Sequence, residues 1–259
     1  MLSSSKHGLH EQRFQAVVLD LFDTLVKWSP DRLPEMEIGG RRVHTTIPWL
    51  VPTLEQALGA AFRLDAFLEV YGAVMAEIQT ERLATAVEIT CHERFRRTLE
   101  RLNVGIDGAS EVAERLTRAH MAAVRAVTAA PPEHAAVVPR LAERYRLGLL
   151  SNFDDARTGY EILGDTGVAE HFEIVVISAE ARVRKPHPEI FRRVLDRLRL
   201  EPKDVLFVGD TVREDVVGAR AAGIPVAWLS ENKGEYPAEL SPPDYTIGNL
   251  TELPKLLGL

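Results

Sequence analysis

Five short runs of Val, Leu and Ile punctuate the chain, each closing on a small or polar residue: FQAVVLD (14–20), RLGLLS (146–151), EIVVIS (173–178), DVLFVGD (204–210) and IPVAWLS (224–230). Such runs are apolar on both sides of the period-2 alternation, which predicts strands buried on both faces. Helical spacing follows in PEIFRRVLDRL (188–198) and REDVVGARAAG (213–223). Strand, helix, strand in succession predicts an α/β fold: a Rossmann-like parallel sheet with helices on both faces, over residues 14–26 and 129–259.

Residues 27–128 separate the first strand from the rest and carry a different pattern. DAFLEVYGAVMAEIQTERL (65–83), CHERFRRTLERL (91–102) and SEVAERLTRAHMAAVRAV (110–127) place apolar residues at helical spacing with charges opposite. MEIGGRRVHTTI (36–47) predicts a hairpin turning at Gly39 and Gly40. The segment is therefore expected to be a mostly α-helical insertion with a short β-hairpin flap, and AAPPEH (129–134) the hinge back into the core. Trp49, Phe67 and Tyr71 are expected inside its apolar core, and residues 1–13 as a flexible, polar start.

The net charge of −7 argues against a nucleic-acid backbone partner, which would need a basic face, so a small-molecule substrate is expected instead. The single cysteine, Cys91, has no partner within the chain for a disulfide and supplies no Cys-based metal cluster. The start lacks the apolar run of a secretory signal, and no stretch reaches membrane-spanning length, so a cytoplasmic location is expected and no membrane partner. The pattern leaves monomer and homodimer both open.

In an open parallel sheet the ligand crevice lies beyond the carboxyl ends of the strands. The polar residues that end these strands should converge there: Asp20, Ser151 with Asn152, Lys185, and Asp210 with Asp215. Lys185 is one of six lysines against 25 arginines and precedes Pro186 in a turn, which suits a fixed point charge. Hard carboxylate oxygens suit Mg2+, so Asp20, Asp210 and Asp215 form a metal set.

The order and wording of these segments resemble the haloacid dehalogenase superfamily, whose phosphatases and dehalogenases use an aspartate nucleophile. LDLFDTLV, LLSN, RKPHPEIF and VGDTVREDVVGARAAG are similar to its first to fourth motifs, and the likeness spans residues 14–230. The resemblance implies Asp20 as nucleophile and residues 27–128 as a cap. It implies metal binding by the backbone carbonyl of Phe22, and phosphate binding by Ser151, the Asn152 amide, Lys185 and Thr24. Asp23 is expected to serve the turn.

Phe22 departs from the family's phosphatases, which carry there a second Asp that protonates the leaving group. Phenylalanine cannot do so, and general acid catalysis commonly contributes about 10² to 10⁴ in rate. Three functions remain open. One is an Mg-dependent phosphatase acting on a phosphorylated metabolite, restricted to acidic leaving groups unless Glu37, His44 or Glu88 of the cap supplies the acid. Another is a 2-haloacid dehalogenase with Arg41 or Arg42 on the substrate carboxylate. A third is a binding or regulatory protein without turnover. Against dehalogenation, Asp210 without a cation would repel both nucleophile and substrate.

Overall fold

The computed structural model describes residues 14–103, 108–231 and 234–259, so the expected flexible start at 1–13 lies outside the described residues. In chain order the strands are β1 (Ala16–Leu19), β2 (Lys27–Trp28), β3 (Glu35–Ile38), β4 (Arg41–His44), β5 (Thr128–Ala129), β6 (Arg146–Ser151), β7 (Phe172–Ile177), β8 (Val205–Gly209), β9 (Val226–Leu229) and β10 (Tyr245–Ile247). Six of them form a parallel sheet in the order β10-β9-β8-β1-β6-β7. The fold class is α/β and Rossmann-like.

Alternation along the strands divides the core between the two faces of the sheet. Val17, Leu19, Leu206 and Val208 join one apolar cluster, while Ala16, Val18, Val205 and Phe207 join the other. Register ties β1 to both neighbours, with Leu19 opposite Leu149 of β6 and Val208 of β8. The chain runs outward from β1 through β6 and β7, then returns to build β8, β9 and β10 on the other side. Direction reverses between β1 and β8, which is where a crevice opens in such sheets.

The chain leaves and re-enters this core through paired strands, β2 lying antiparallel to β5 with Lys27 opposite Ala129. Beyond them stand the β3–β4 hairpin and four helices: α1 (Ile47–Leu58), α2 (Leu64–Thr85), α3 (Cys91–Arg101) and α4 (Ala109–Ala126). Gly39 and Gly40 turn the hairpin at φ 59° and 75°, values that favour residues without a Cβ. Ile47, Leu50, Phe67, Phe95, Leu99 and Leu116 form a separate core for this helical unit. Phe67 is buried as expected, whereas Trp49 stays 44% exposed because it lies on the face of α1 opposite Ile47 and Leu50, which enter that core. Among the described residues no helix is long and apolar enough to cross a membrane.

Candidate active site

Asp20 follows β1 directly, and its amide donates to the Val208 carbonyl of β8 at 2.9 Å, which holds it at the reversal point. Asp210 follows β8. Asp215 comes from the next turn, where its Oδ2 accepts from the Thr211 amide at 2.8 Å. Their carboxylates come together, with one oxygen from each within 4.8 Å of the others, and all three residues are buried. Gly209 makes this approach possible. A Cβ there would lie 2.5 Å from Asp215 Oδ2, so any side chain would push that carboxylate away.

Lys185 enters the same cluster from the loop after β7. Its Nζ lies 2.7 Å from Asp20 Oδ1 and 2.6 Å from Asp215 Oδ1, and it also donates to the Leu150 carbonyl at 3.2 Å. Burial pushes the Asp20 carboxyl up to about 7 against the pull of Lys185, and Asp215 adds to the rise. For Lys185 burial opposes the charge, yet Asp20 and Asp215 outweigh it and hold the ammonium above the usual lysine range. Lys185 shared between Asp20 and Asp215 leaves that buried pair with negative charge in excess when both are ionised. A divalent cation on hard oxygen ligands would balance that excess, so the donor set fits Mg2+.

Two hydroxyls nearby are left without partners. Thr24 Oγ1 and Ser151 Oγ are buried and make no hydrogen bond. Such orphans cost about 1–3 kcal/mol each in an otherwise satisfied interior, and a ligand oxygen would relieve the cost. The Thr24 carbonyl is held by His134 Nδ1 at 2.9 Å, so the hinge segment fixes the turn that carries this hydroxyl. Asp23 takes the left-handed conformation in that turn, at φ 56°.

Asn152 has a role that the order of residues did not suggest. Its side chain accepts from the Lys185 amide at 2.8 Å and donates to the Lys185 carbonyl at 3.0 Å, fastening the lysine's backbone on both sides. It also donates to Glu214 at 2.9 Å, which pairs with Arg184 at 3.0 Å. Arg184 in turn lies 3.7 Å from Glu88. Glu88 accepts from Ser178 at 2.6 Å and pairs with Arg82 of α2 at 2.7 Å. The cap is therefore wired to the lysine loop.

The cap residues considered as acids or carboxylate clamps stand apart from one another. Glu37, Arg41 and Arg42 are exposed on the hairpin. Glu88 is committed to the cap–core network, where burial raises its pKa against Arg184 and Arg82. His44 alone of these lines the cavity between cap and core, with Nδ1 on the Leu33 carbonyl at 2.9 Å.

That cavity, about 420 Å3, lies between the helical unit and the sheet core. Phe22 and Asn152 belong to its wall and connect it to the carboxylate cluster. The Phe22 ring packs on Phe153 at 4.8 Å between centroids. Tyr71 packs against the core of the helical unit as expected, stacked on Phe67 and Phe95, and also lines the same cavity. Phe153, Asp154, Arg94 and Glu214 also went unrecognised as site residues. The adjoining letters SNFDD offered a signal only for the first two.

A protein-family model for haloacid dehalogenase-like hydrolases matches residues 14–223, and the chain belongs to that family. It is a hydrolase, and its named relatives favour phosphatase-type chemistry. A phosphoserine phosphatase of Thermus thermophilus is 29% identical over 92% of this chain and 96% of its own. A pyrimidine 5'-nucleotidase of Escherichia coli is 30% identical over 64% of this chain and 70% of its own. The fold is shared with a 2-haloacid dehalogenase of Pseudomonas syringae pv. Tomato (TM-score 0.69, 21% identity, 95% of this chain and 98% of that one). It is also shared with a hydrolase of Bacillus subtilis solved with magnesium (TM-score 0.60, 16% identity, 95% and 100%).

Proposed function

We propose that this protein is an Mg-dependent phosphatase in which Asp20 is the nucleophile and which favours acidic leaving groups. The observation that carries the reading is the buried cluster of Asp20, Asp210 and Asp215, with Lys185 on two of them. Three clustered carboxylates have an electrostatic use beside a divalent ion and a phosphoryl group. They have none in attack on the carbon of a carboxylate-bearing substrate.

Asp20, Asp210 and Asp215, with the Phe22 carbonyl, would hold Mg2+, which supplies positive charge against nucleophile and phosphoryl oxygens when bound. Lys185 aligns the Asp20 carboxylate and shares the charge of the incoming phosphoryl group. Thr24 and Ser151 donate their hydroxyls to its oxygens, together with the Asn152 amide. Asp20 attacks phosphorus, a new O–P bond forms, and the leaving oxygen departs with the electron pair of the bond that breaks. Water then cleaves the aspartyl phosphate and regenerates the carboxylate. Because Phe22 offers no proton, the leaving oxygen must be stable as an anion, as in acyl phosphates.

The test is phosphate release from acetyl phosphate with Mg2+ and with a chelator, beside Asp20→Asn. Turnover that needs both the metal and Asp20 supports the proposal. Turnover that survives Asp20→Asn overturns it.

A further inference from the structure

The cavity under the cap has a one-sided chemistry. Phe22, Trp28, Tyr71, Met121 and Phe153 supply its wall, so most of its surface is apolar and four of these five side chains are aromatic. Its charged members cancel each other, since Arg94 Nη1 lies 3.0 Å from Asp154 Oδ2. His120 adds no charge. Its Nδ1 is 2.7 Å from Thr46 Oγ1, and burial together with the nearby Arg94 pushes its pKa down to about 4. His44 is exposed, with Nδ1 on the Leu33 carbonyl, and burial raises the Tyr71 phenol above its usual range. The Arg94–Asp154 pair and His120 therefore leave no unpaired charge facing the space.

Position matters as much as lining. Phe22 stands two residues after Asp20, and Asn152 one after Ser151, so the cavity opens beside the place where a phosphoryl group would sit. A leaving group directed past Phe22 would enter it. A ligand pocket of about 300–1,000 Å3 commonly holds a drug-sized ligand, so 420 Å3 is ample for one substituted ring.

We propose that this cavity receives an uncharged aromatic leaving group, so that the preferred substrates are phosphate derivatives of an aromatic acid or phenol bearing no second charge. The inference rests on the phosphatase reading above and adds the substrate class. An amino-acid phosphate would bring an ammonium and a carboxylate into a space where Arg94 and Asp154 already pair with each other, at a desolvation cost. A flat ring instead buries apolar surface against Phe22, Phe153 and Tyr71, where aromatic pairs add about 0.5–1.5 kcal/mol beyond area alone.

Benzoyl phosphate and acetyl phosphate separate the two claims, because both leave as carboxylates and differ in the ring. With Mg2+ and the full-length protein, the expected kcat/KM is at least about tenfold higher for benzoyl phosphate. Trp28→Ala, a change at a side chain 44% exposed at the cavity rim, should shrink that ratio. Adding a 4-carboxylate to the ring should cost most of the advantage. Equal kcat/KM for the benzoyl and acetyl compounds overturns the substrate class and leaves the phosphatase reading standing. So does a ratio untouched by Trp28→Ala, or a carboxylated ring taken as well as the plain one. Hydrolysis of neither compound overturns the phosphatase reading and the inference with it.

Discussion

Replacing Phe22 with Asp should return a proton donor to the site and with it the hydrolysis of alkyl phosphates. The new carboxyl would stand beside Asp20, Asp210 and Asp215, where Lys185 pairs with the first and the last. Like charges so close favour the protonated form, which is the form a general acid needs. General acid catalysis contributes about 10² to 10⁴, equivalent to about 3–5 kcal/mol of barrier. Against this stands the loss of the ring packed on Phe153, whose pairing alone contributes about 0.5–1.5 kcal/mol beyond the area it buries, and a Tm lowered by roughly 2–4 °C per kcal/mol. The net expectation is a kcat/KM for glycerol phosphate raised at least about tenfold, with acetyl phosphate changed by no more than a few-fold. The assay is phosphate release from both substrates by wild type and Phe22→Asp at saturating Mg2+, with a thermal melt to establish folding. A folded variant with no gain on glycerol phosphate would refute the argument. So would a wild-type enzyme that cleaves glycerol phosphate as fast as acetyl phosphate.

Gly209→Ala should abolish turnover while leaving the protein folded, because its Cβ displaces the Asp215 carboxylate; circular dichroism beside the phosphate assay checks both halves. Burial pushes the Cys91 thiol up to about 12, so alkylating reagents at neutral pH should leave the native protein unmodified and label one site after denaturation. Hydrogen bonds from Arg96 and then Arg97 pull the Glu93 carboxyl down to about 2 from an ordinary 4.5. A depressed carboxyl stabilises the fold above the unfolded value and loses that contribution as pH falls towards the folded one. Glu93→Gln should therefore cost about 0.5–1 kcal/mol at pH 7 in denaturant melts, discounted for its surface position, and the difference should close below pH 4.5.

The strands of the sheet were legible because burial on both faces writes continuous apolar runs, and five of the six stood out this way. The sixth, β10, did not, since Tyr245–Ile247 is three residues long with one of them buried, too short for any period. Helices α2, α3 and α4 were visible in their spacing, whereas α1 carries Pro52 in its interior, which blurs a helical signal. At the site, Asp20, Ser151, Lys185, Asp210 and Asp215 could be named from where they fall at strand ends. The contacts that set their environment could not. Arg94 meets Asp154 across 60 positions and Ser178 meets Glu88 across 90, and pairings of that separation exist only once the cap has folded onto the core. The same holds for the cavity, whose wall gathers residues from Phe22 to Asp154 that share no local pattern.

The central claim is that Asp20 takes the phosphoryl group. Its most direct test is an acid quench during turnover of acetyl phosphate with Mg2+, followed by mass spectrometry of the peptide spanning residues 17–26. A single phosphoryl adduct on Asp20, absent without metal and absent from Asp20→Asn, is the result this account predicts. An enzyme that turns over with no adduct, or with the adduct on any other residue, would contradict it.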